Sequence, residues 1–311
     1  MTKTRIEWAT DTWNPITGCS HAGSPGCDHC YARRMAKRLA GRFGYPESPH
    51  EFDVTFHPDR LEEPLRWPKK DMVIFTCSMS DLFHEDVPFD TITSILGIMW
   101  SSCGPWWTRT YLMLTKRPQR AAEYFASIGH TPLWPMSNAY LGVTVETQDQ
   151  MWRVEELMKI PGKHFVSLEP LLGPVEMPRQ YLGYCPECGS HYRNLEKGDW
   201  RGCWTKDGKA EWLQHRCSDV HAQVGHWDMP LPLSGVIVGG ESGPGARPCD
   251  VDWIRAIVQQ GKDAGIPVTV KQLGTVWASS VKSRTAKGND PAEWATDLRI
   301  RQFPEAIFPL E

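Results

Sequence analysis

The sequence lacks an uninterrupted apolar run of the roughly 18–20 residues that a membrane-spanning helix needs. Its first residues, MTKTRIEW, are charged and polar and do not have the apolar core of a secretory signal. We therefore expect no membrane span, no membrane partner and no secretion. The cytoplasm is the expected compartment.

The sequence also lacks a large excess of charge of one sign, since 34 Lys and Arg oppose 37 Asp and Glu and give a net charge of −3. The whole surface therefore does not have the positive field that is typical of nucleic-acid-binding proteins. A local basic patch remains possible at Arg33, Arg34, Lys37 and Arg38.

Cysteine and tryptophan, by contrast, are abundant, with 10 and 15 copies in 311 residues. In a cytoplasmic chain of this length, thiols are expected to be reduced and to bind metal or act in catalysis, rather than to form disulfides. Indole rings can stack on nucleic-acid bases, although most tryptophans fill cores or cover surfaces.

Short β-rich runs alternate with helical segments along most of the chain. The runs are TWNPI (12–16), FDVTFH (52–57), MVIFTCS (72–78), TYLMLT (110–115), AYLGVTV (139–145), HFVSL (164–168), GVIVGG (235–240) and PVTVKQ (267–272). Repeated strand-then-helix order predicts parallel strands, and continuous apolar strands indicate a sheet that is covered on both faces. We predict an α/β fold with a complete or partial (β/α) barrel, whose chemistry lies at the carboxyl ends of the strands.

Residues 184–229 interrupt this alternation, and we predict a small metal-binding insertion there. The barrel then occupies 1–183 and 230–275, and 276–311 form a carboxyl-terminal extension. Within the insertion, the C-x2-C pair Cys185 and Cys188 is typical of zinc sites, which Cys203 and Cys217 would complete, with His191 or His215 as substitutes. An auxiliary iron–sulfur cluster is the alternative.

A second cysteine group follows the first strand-like run, where Cys19, Cys27 and Cys30 have the spacing C-x7-C-x2-C. Three clustered thiolates suit a [4Fe–4S] cluster in which one iron has no protein ligand, and no fourth cysteine is near in the sequence. The alternative is a zinc site that adds His21 or His29 to the three thiolates.

Several phrases resemble a bacteriophage-associated family of radical S-adenosylmethionine (SAM) proteins of formerly unknown function with a CxxxxxxxCxxC motif. They are IEWATDTWNPITGC, PGCDHCYARRMAKRL, SMSDLFHEDVP, LTKRP, LGVTVE, VSLEPLLGPV and VIVGGESGPGARP. The superfamily usually has C-x3-C-x2-C with an aromatic residue in the last gap, whereas this sequence lengthens the first gap and has His29 in the last. More distantly, the order of the loops is similar to that of the spore photoproduct lyase group, which repairs a thymine dimer by radical chemistry.

This resemblance implies a barrel of the radical SAM type, a [4Fe–4S] cluster, SAM bound at its open iron, and reductive cleavage of SAM to a 5′-deoxyadenosyl radical. It also implies an electron donor such as flavodoxin and a phage-encoded protein in the host cytoplasm. Ser78, Ser80 and Asp81 would contact the methionyl part, with Asp81 beside the ammonium group. Lys116 or Arg117 would pair with the methionyl carboxylate; for Lys116 the alternative is a solvated loop charge.

Other loop residues receive weaker predictions. Thr144 and Glu146 could reach ribose hydroxyls, and Glu169 could hold either cofactor or substrate. The GGES run resembles the superfamily's Gly-Gly-Glu motif but follows the seventh strand, so Glu241 is predicted to act catalytically on the substrate side. Arg247 could bind a substrate phosphate, or be an ordinary surface arginine.

Cys77 is a predicted catalytic residue, because the lyase group has a hydrogen-donating cysteine near this place; a buried structural thiol is the alternative. The leading hypothesis is a radical SAM enzyme that modifies a nucleic-acid base or nucleotide. Its most specific form is an isomerase in phage thymidine hypermodification, which moves an amino-acid group from an ester oxygen to carbon. The alternatives are a radical pyrimidine-lesion lyase and a non-catalytic zinc protein that binds nucleic acid.

Overall fold

The computed structural model describes residues 2–4, 6–103, 108–129, 131, 133–184 and 232–304. Its strands are β1 (Thr2–Lys3), β2 (Asp11–Trp13), β3 (Ile16–Thr17), β4 (Thr55–Phe56), β5 (Met72–Thr76), β6 (Arg109–Thr115), β7 (Ala139–Thr144), β8 (Lys163–Leu168), β9 (Gly235–Gly239) and β10 (Val268–Gln272). Its α-helices are α1 (Tyr31–Leu39), α2 (Pro58–Leu61), α3 (Glu63–Arg66), α4 (Phe89–Ser101), α5 (Pro118–Ile128), α6 (Trp152–Leu157), α7 (Val251–Ala264) and α8 (Thr275–Ser280).

One sheet organises these elements, with the strand order β1-β2-β5-β6-β7-β8-β9-β10. Strand β1 is antiparallel to β2, and from β2 to β10 each strand is parallel to its neighbour. The seven parallel strands follow chain order and curl into a half-barrel, and within the described residues the outer strands β1 and β10 do not pair with each other. The prediction of an α/β partial barrel is confirmed.

The run FDVTFH was predicted to be a strand of this barrel, and that prediction is wrong. Its strand β4 pairs only with β3, in a separate two-stranded antiparallel sheet with Ile16 opposite Phe56. The run TWNPI is divided between β2 and β3, because Pro15 has no N–H to donate to a continuing ladder. The Pro15 carbonyl instead accepts a hydrogen bond from the His57 N–H at 2.8 Å.

The outer face of the half-barrel packs against the helices. Side chains of alternate strand residues, such as Leu141 and Val143 on β7, join Ile254 and Ile257 of α7 in one fully buried core. Each such side chain contributes about 1.5–3 kcal/mol by its burial. Asp250 directly precedes helix α7 and caps it, because its carboxylate accepts from the Asp252 N–H at 2.9 Å.

The inner face is covered by both described ends of the chain. Trp8 and Phe303 pack with Phe75 and Phe165 in a second core cluster. A side chain at Gly235 of β9 would overlap the Phe303 ring, so glycine is required at this close approach. Phe303, near the end of the described part of the predicted carboxyl-terminal extension, therefore fills the amino-terminal part of the half-barrel, whereas Trp294 and Leu298 of the same extension belong to the outer core.

The predicted insertion, except for Tyr184, lies outside the described residues, and so do its candidate ligands Cys185, Cys188, Cys203 and Cys217. The zinc site stays a prediction. Among the described residues, no helix combines the length and apolarity that a membrane crossing requires.

Candidate active site

A cavity opens at the carboxyl edge of the half-barrel, beyond β5, β6 and β7. Its empty volume, including space open to solvent, is about 730 Å³. The inner-face residues Phe75 and Leu114 form part of its wall. Nine of the residues predicted from sequence also line it: Cys19, Cys27, Cys30, Ser78, Ser80, Asp81, Lys116, Arg117 and Thr144.

The loop that carries the three cysteines is fixed by backbone contacts. The Gly18 N–H donates to the Met79 carbonyl, and the Cys19 N–H donates to the Phe52 carbonyl, both at 3.0 Å. Gly18 has a φ of +84°, and a side chain there would overlap the Asp53 carbonyl. The loop then forms a 3-10 turn at Pro25–Cys27 and enters α1 at Cys30.

The three thiols are free and partly exposed, and all face the same cavity. Within the described residues, no three His, Cys, Asp or Glu side chains converge closely enough to hold a single metal ion. In a cubane cluster each thiolate binds a different iron, so its ligands stand further apart than those of one ion. Three thiols around a shared cavity, without a fourth on its lining, fit a [4Fe–4S] cluster with one open iron.

The surroundings of the Cys19 thiol change its acidity. Burial raises its pKa to about 12, and the nearby Asp81 carboxylate adds to this effect. The Arg117 guanidinium opposes it, because Nη1 donates to the Cys19 Sγ at 3.6 Å. A thiol with such a pKa becomes a thiolate at neutral pH when a metal displaces its proton, and Arg117 would then offset part of the negative charge.

The Asp81 carboxylate is fully engaged inside the protein. Its Oδ1 accepts from the Thr115 hydroxyl at 2.7 Å and from the Phe83 N–H at 3.0 Å. Its Oδ2 accepts from the Lys116 N–H at 3.0 Å and from Arg117 Nη1 at 3.3 Å. Since a carboxylate has about four acceptor sites, Asp81 orders residues 115–117 rather than presenting a free anion to the cavity.

Arg117, in the loop that follows β6, joins that loop to the loop that carries the three cysteines. Its Nε donates to both Glu85 oxygens at 2.9 Å, and its Nη2 donates to the Ser20 hydroxyl at 2.9 Å. Burial lowers the pKa of this guanidinium, but Asp81, Cys19 and Glu85 outweigh that effect and raise it. The side chain is therefore a permanent cation whose contacts all lie within the protein.

Lys116 is held by a buried polar network. Its ammonium group donates to the Ser24 hydroxyl at 3.0 Å and forms an ion pair with Glu146, which is fully buried. The Ser24 hydroxyl also donates to Glu146, and Gln150 Nε2 donates to Glu146 at 3.0 Å. Burial raises the pKa of Glu146, but Lys116, Ser24 and Gln150 outweigh it, so the pKa is lowered and the carboxylate stays charged.

The hydroxyl groups of Ser78 and Ser80 are also engaged in hydrogen bonds within the protein. Ser78 Oγ donates to Asn14 Oδ1 at 3.1 Å, and Ser80 Oγ donates to the Gly18 carbonyl at 2.6 Å. Glu169 is not on the cavity lining, and it pairs with Lys271 at the end of β10.

Glu241 and Arg247, in the loop that follows β9, contact the loop that carries the three cysteines. Arg247 Nε and Nη2 each donate to the Glu241 carboxylate, at 2.9 and 2.6 Å, and Nη2 also donates to the Pro25 carbonyl at 3.0 Å. His29 Nδ1 lies 3.2 Å from Glu241 Oε1. Burial raises the pKa of Glu241, but Arg247 outweighs it and the pKa is lowered. The pair ties the loop after β9 to the last gap of the cysteine motif.

Cys77 is not among the residues that line the cavity. Its backbone has a φ of +57°, which interrupts the alternation of β5 and directs the thiol into the outer core with Ile74. Burial raises the pKa of Cys77, and Asp81 adds to this. The placement favours the structural alternative, and hydrogen donation by Cys77 stays a prediction.

Sequence reasoning missed Ser20, Ser24, Gln150 and Arg153. Both serines lie in the lengthened first gap, where they read as turn residues. Arg153 is buried in α6 and donates to the Thr144 carbonyl at 2.9 Å and to Ser24 Oγ at 3.4 Å. Arg153 needs these partners because its guanidinium is buried, and that burial is not visible in the sequence.

The fold and the site together define an α/β partial-barrel protein with a three-cysteine loop at the carboxyl edge of its sheet. Residues 3–297 match the family described as "Protein of unknown function (DUF5131)", and the chain belongs to that family. Comparison with curated proteins gives no match.

Among solved structures, the chain is similar to spore photoproduct lyase complexed with dinucleoside spore photoproduct, at a TM-score of 0.39 and 9% identity. The similarity covers 83% of this chain and 62% of that chain, so this protein spans less than two thirds of the length of that lyase.

Proposed function

We propose that the protein is a radical SAM enzyme that modifies a nucleic-acid base or nucleotide. In this proposal Cys19, Cys27 and Cys30 hold a [4Fe–4S] cluster, and SAM occupies the adjoining cavity. The observation that carries it is the set of three free thiols from one loop on the wall of a single cavity at the carboxyl edge of a parallel sheet. When bound and reduced, the cluster would supply the electron that cleaves SAM.

The number of N–H groups that remain free for a ligand distinguishes the roles of Arg117 and Lys116. The five N–H groups of Arg117 are all used by Glu85, Asp81, Cys19 and Ser20. Lys116 has three donors and uses two of them, on Ser24 and Glu146. We therefore assign the methionyl carboxylate to Lys116, and the positioning of the cysteine loop to Arg117.

The hydrogen-bond acceptors of the site also differ in whether partners within the protein already occupy them. Asp81 and Glu146 order the loops that carry Arg117 and Lys116, because their carboxylates are occupied within the protein. Thr144 lies on the cavity wall, and no described residue bonds its hydroxyl, which supports a contact between Thr144 and the ribose of SAM. Glu241 positions the loop around His29, and a direct role of Glu241 or Arg247 on the substrate stays a prediction.

The substrate class rests on the loop order that resembles the lyase group and on the phage-associated motif set. The most specific form of the proposal is an isomerase in thymidine hypermodification, acting in the cytoplasm of a phage-infected host with an electron donor such as flavodoxin. Isomerisation of a modified thymidine, with the amino-acid group moved from ester oxygen to carbon, is its defining product. Activity on irradiated DNA would favour the lesion lyase instead.

Anaerobic purification and metal analysis test the cluster. We expect a brown protein with about four irons per chain on the triad. Cys27→Ala should lose this iron, and the matched control Cys103→Ala, remote from the cavity, should keep it. A colourless protein with zinc on the triad would overturn the proposal and favour the zinc-binding alternative; iron well above about four with no zinc would place a second cluster in the insertion.

Turnover of SAM tests the enzyme. The reduced, reconstituted protein should form 5′-deoxyadenosine, and the Lys116→Met variant should raise the KM for SAM while it retains the cluster spectrum. An intact cluster with no cleavage of SAM under any reductant would contradict the proposed mechanism.

A further inference from the structure

Helix α1 starts directly after the third cysteine and has an unusual charge distribution. Its sequence YARRMAKRL contains four basic residues and no acidic one, and another arginine follows in the next turn. These five residues are Arg33, Arg34, Lys37, Arg38 and Arg42. All except the half-buried Arg34 are exposed. We call this set the α1 patch.

The arrangement is unfavourable for the isolated helix. Arg33 and Lys37, and likewise Arg34 and Arg38, are like charges four residues apart, which repel. Arg33 and Arg34 place positive charge in the first turn, where the helix dipole is unfavourable, whereas Lys37 and Arg38 lie in the last turn, where it is favourable. The repulsion between the like charges therefore remains as the cost. An anion bound along the helix would relieve that repulsion.

The described part of the protein supplies little countercharge to the α1 patch, and no carboxylate there forms an ion pair with any of its five residues. Arg34 and Arg42 contact backbone carbonyls instead. The neighbouring Asp28 and Asp53 pair with His21 and His50, at 3.0 and 2.7 Å. Glu47 is an acidic neighbour, placed against Gly41 beyond the end of the helix.

Apolar and aromatic side chains are interleaved with these cations. Tyr31, Met35 and Phe43 are 49%, 41% and 73% exposed. The Arg33 guanidinium lies 5.2 Å above the Phe52 ring, and Arg33, Tyr31 and Phe52 all contribute to the cavity wall. Cations that contact phosphates, combined with rings on which bases stack, are the usual means of binding single-stranded nucleic acid.

We propose that the α1 patch is the docking surface for a nucleic-acid strand, so that the target base is presented to the cavity on a polymer rather than as a free nucleotide. This inference rests on the proposed function. Of the five residues of the α1 patch, only Arg33 lines the cavity, so a mononucleotide bound there would contact Arg33 alone of the patch. The whole nine-residue helix, by contrast, is about 13 Å long. That length matches about four stacked nucleotides at 3.4 Å each.

The charge balance of the rest of the chain favours this placement. The net charge of the whole chain is −3 and the five residues of the α1 patch contribute +5, so the remaining residues carry a formal charge of −8. A polyanion is therefore attracted to the α1 patch against an acidic average over the rest of the chain.

Fluorescence anisotropy with a labelled single-stranded DNA oligonucleotide tests the proposal. The patch variant Lys37→Glu/Arg38→Glu is compared with the control Lys70→Glu/Lys159→Glu, which has the same net charge. The control residues are exposed and precede β5 and β8, at the opposite edge of the sheet. We expect wild-type affinity that falls with salt, a loss of about tenfold or more in the patch variant, and a control within about twofold of wild type.

Equal DNA binding by the two variants would overturn the inference. So would wild-type binding to phosphatidylserine vesicles or poly-glutamate as tight as to DNA, since the patch would then recognise any polyanion. Circular dichroism establishes that both variants are folded.

The same proteins separate this inference from the proposed function. Patch-dependent DNA binding without any cleavage of SAM would leave the docking surface standing and remove the radical enzyme. Cleavage of SAM with mononucleotide turnover that is unchanged in the patch variant, and no modification of DNA, would do the reverse.

Discussion

The Ser24 hydroxyl offers the most direct test of how the cysteine loop is held. Ser24 lies within the lengthened gap between Cys19 and Cys27, is fully buried, and bonds Glu146, Lys116 and Arg153. Ser24→Ala removes all three bonds and leaves every cavity thiol in place. We expect a destabilised protein and a loosened loop.

The magnitude follows from the partners of this hydroxyl. A hydrogen bond to a charged group contributes about 1.5–3 kcal/mol, and such bonds within one network do not add. Glu146 keeps Lys116 and Gln150 after the substitution, and Arg153 keeps the Thr144 carbonyl. We therefore expect the free energy of unfolding to fall by about 2–3 kcal/mol, a large part of the usual stability of a domain.

Urea unfolding of the wild type and of Ser24→Ala measures this difference. Ser94→Ala is the matched control, because its exposed hydroxyl bonds only the Asp90 carbonyl within α4, and its effect should stay within about 0.5 kcal/mol. A second readout is the rate at which a chelator removes iron, which should rise in Ser24→Ala and not in the control.

Ser24→Ala as stable as Ser94→Ala would refute the argument that this network anchors the loop. A large loss of stability with unchanged iron release would instead show that the network supports the fold and not the cysteine loop.

Three further predictions concern other parts of the molecule. Gly235→Ala should lower the free energy of unfolding by about 1–3 kcal/mol in thermal or chemical denaturation, because its methyl group overlaps the Phe303 ring; stability equal to wild type would contradict the described position of that ring. Burial lowers the pKa of His164 from 6.5 to about 4, so the folded state keeps this ring neutral while the unfolded chain takes up a proton. Stability should therefore fall as the pH decreases from about 6.5 to about 4, by up to about 3 kcal/mol, and His164→Leu should show a correspondingly flatter pH dependence; identical slopes would rule out His164 as the source. Glu241→Gln weakens the contacts with Arg247 and His29, and we expect faster chelation of iron with little change in the KM for SAM; a change in KM alone would place Glu241 on the cofactor instead.

The half-barrel could be predicted from sequence because its strands are continuous apolar runs, each followed by a helix. The pattern failed for FDVTFH, since a short β-rich run does not show which sheet it joins. The run TWNPI was predicted to be one strand, although its proline accounts for the division between β2 and β3. The local sequence therefore predicted whether a segment is a strand or a helix more reliably than it predicted which strands pair with each other.

The candidate site shows the same limit. The carboxyl-edge rule brought Lys116, Arg117 and Asp81 to one place correctly, because parallel strands end at the same edge. This rule could not indicate that Ser24 donates a hydrogen bond to Glu146, 122 positions away in the sequence. Nor could it indicate that the Asp81 carboxylate accepts hydrogen bonds from residues of the neighbouring loop. Which groups form hydrogen bonds with each other depends on three-dimensional distances, and a sequence pattern does not contain those distances.

The aromatic filling of the inner face has a consequence for biosynthesis. Phe165 packs between Trp8 and Phe303, at ring separations of 6.4 and 5.5 Å. A nascent chain that has released β5 to β9 from the ribosome still presents Tyr140 and Phe165 to water on the side that Phe303 covers, because Phe303 follows all of these strands in the chain. Ribosome-bound chains halted before residue 303 should therefore recruit chaperones that recognise exposed aromatic surface, and should release them once Phe303 emerges.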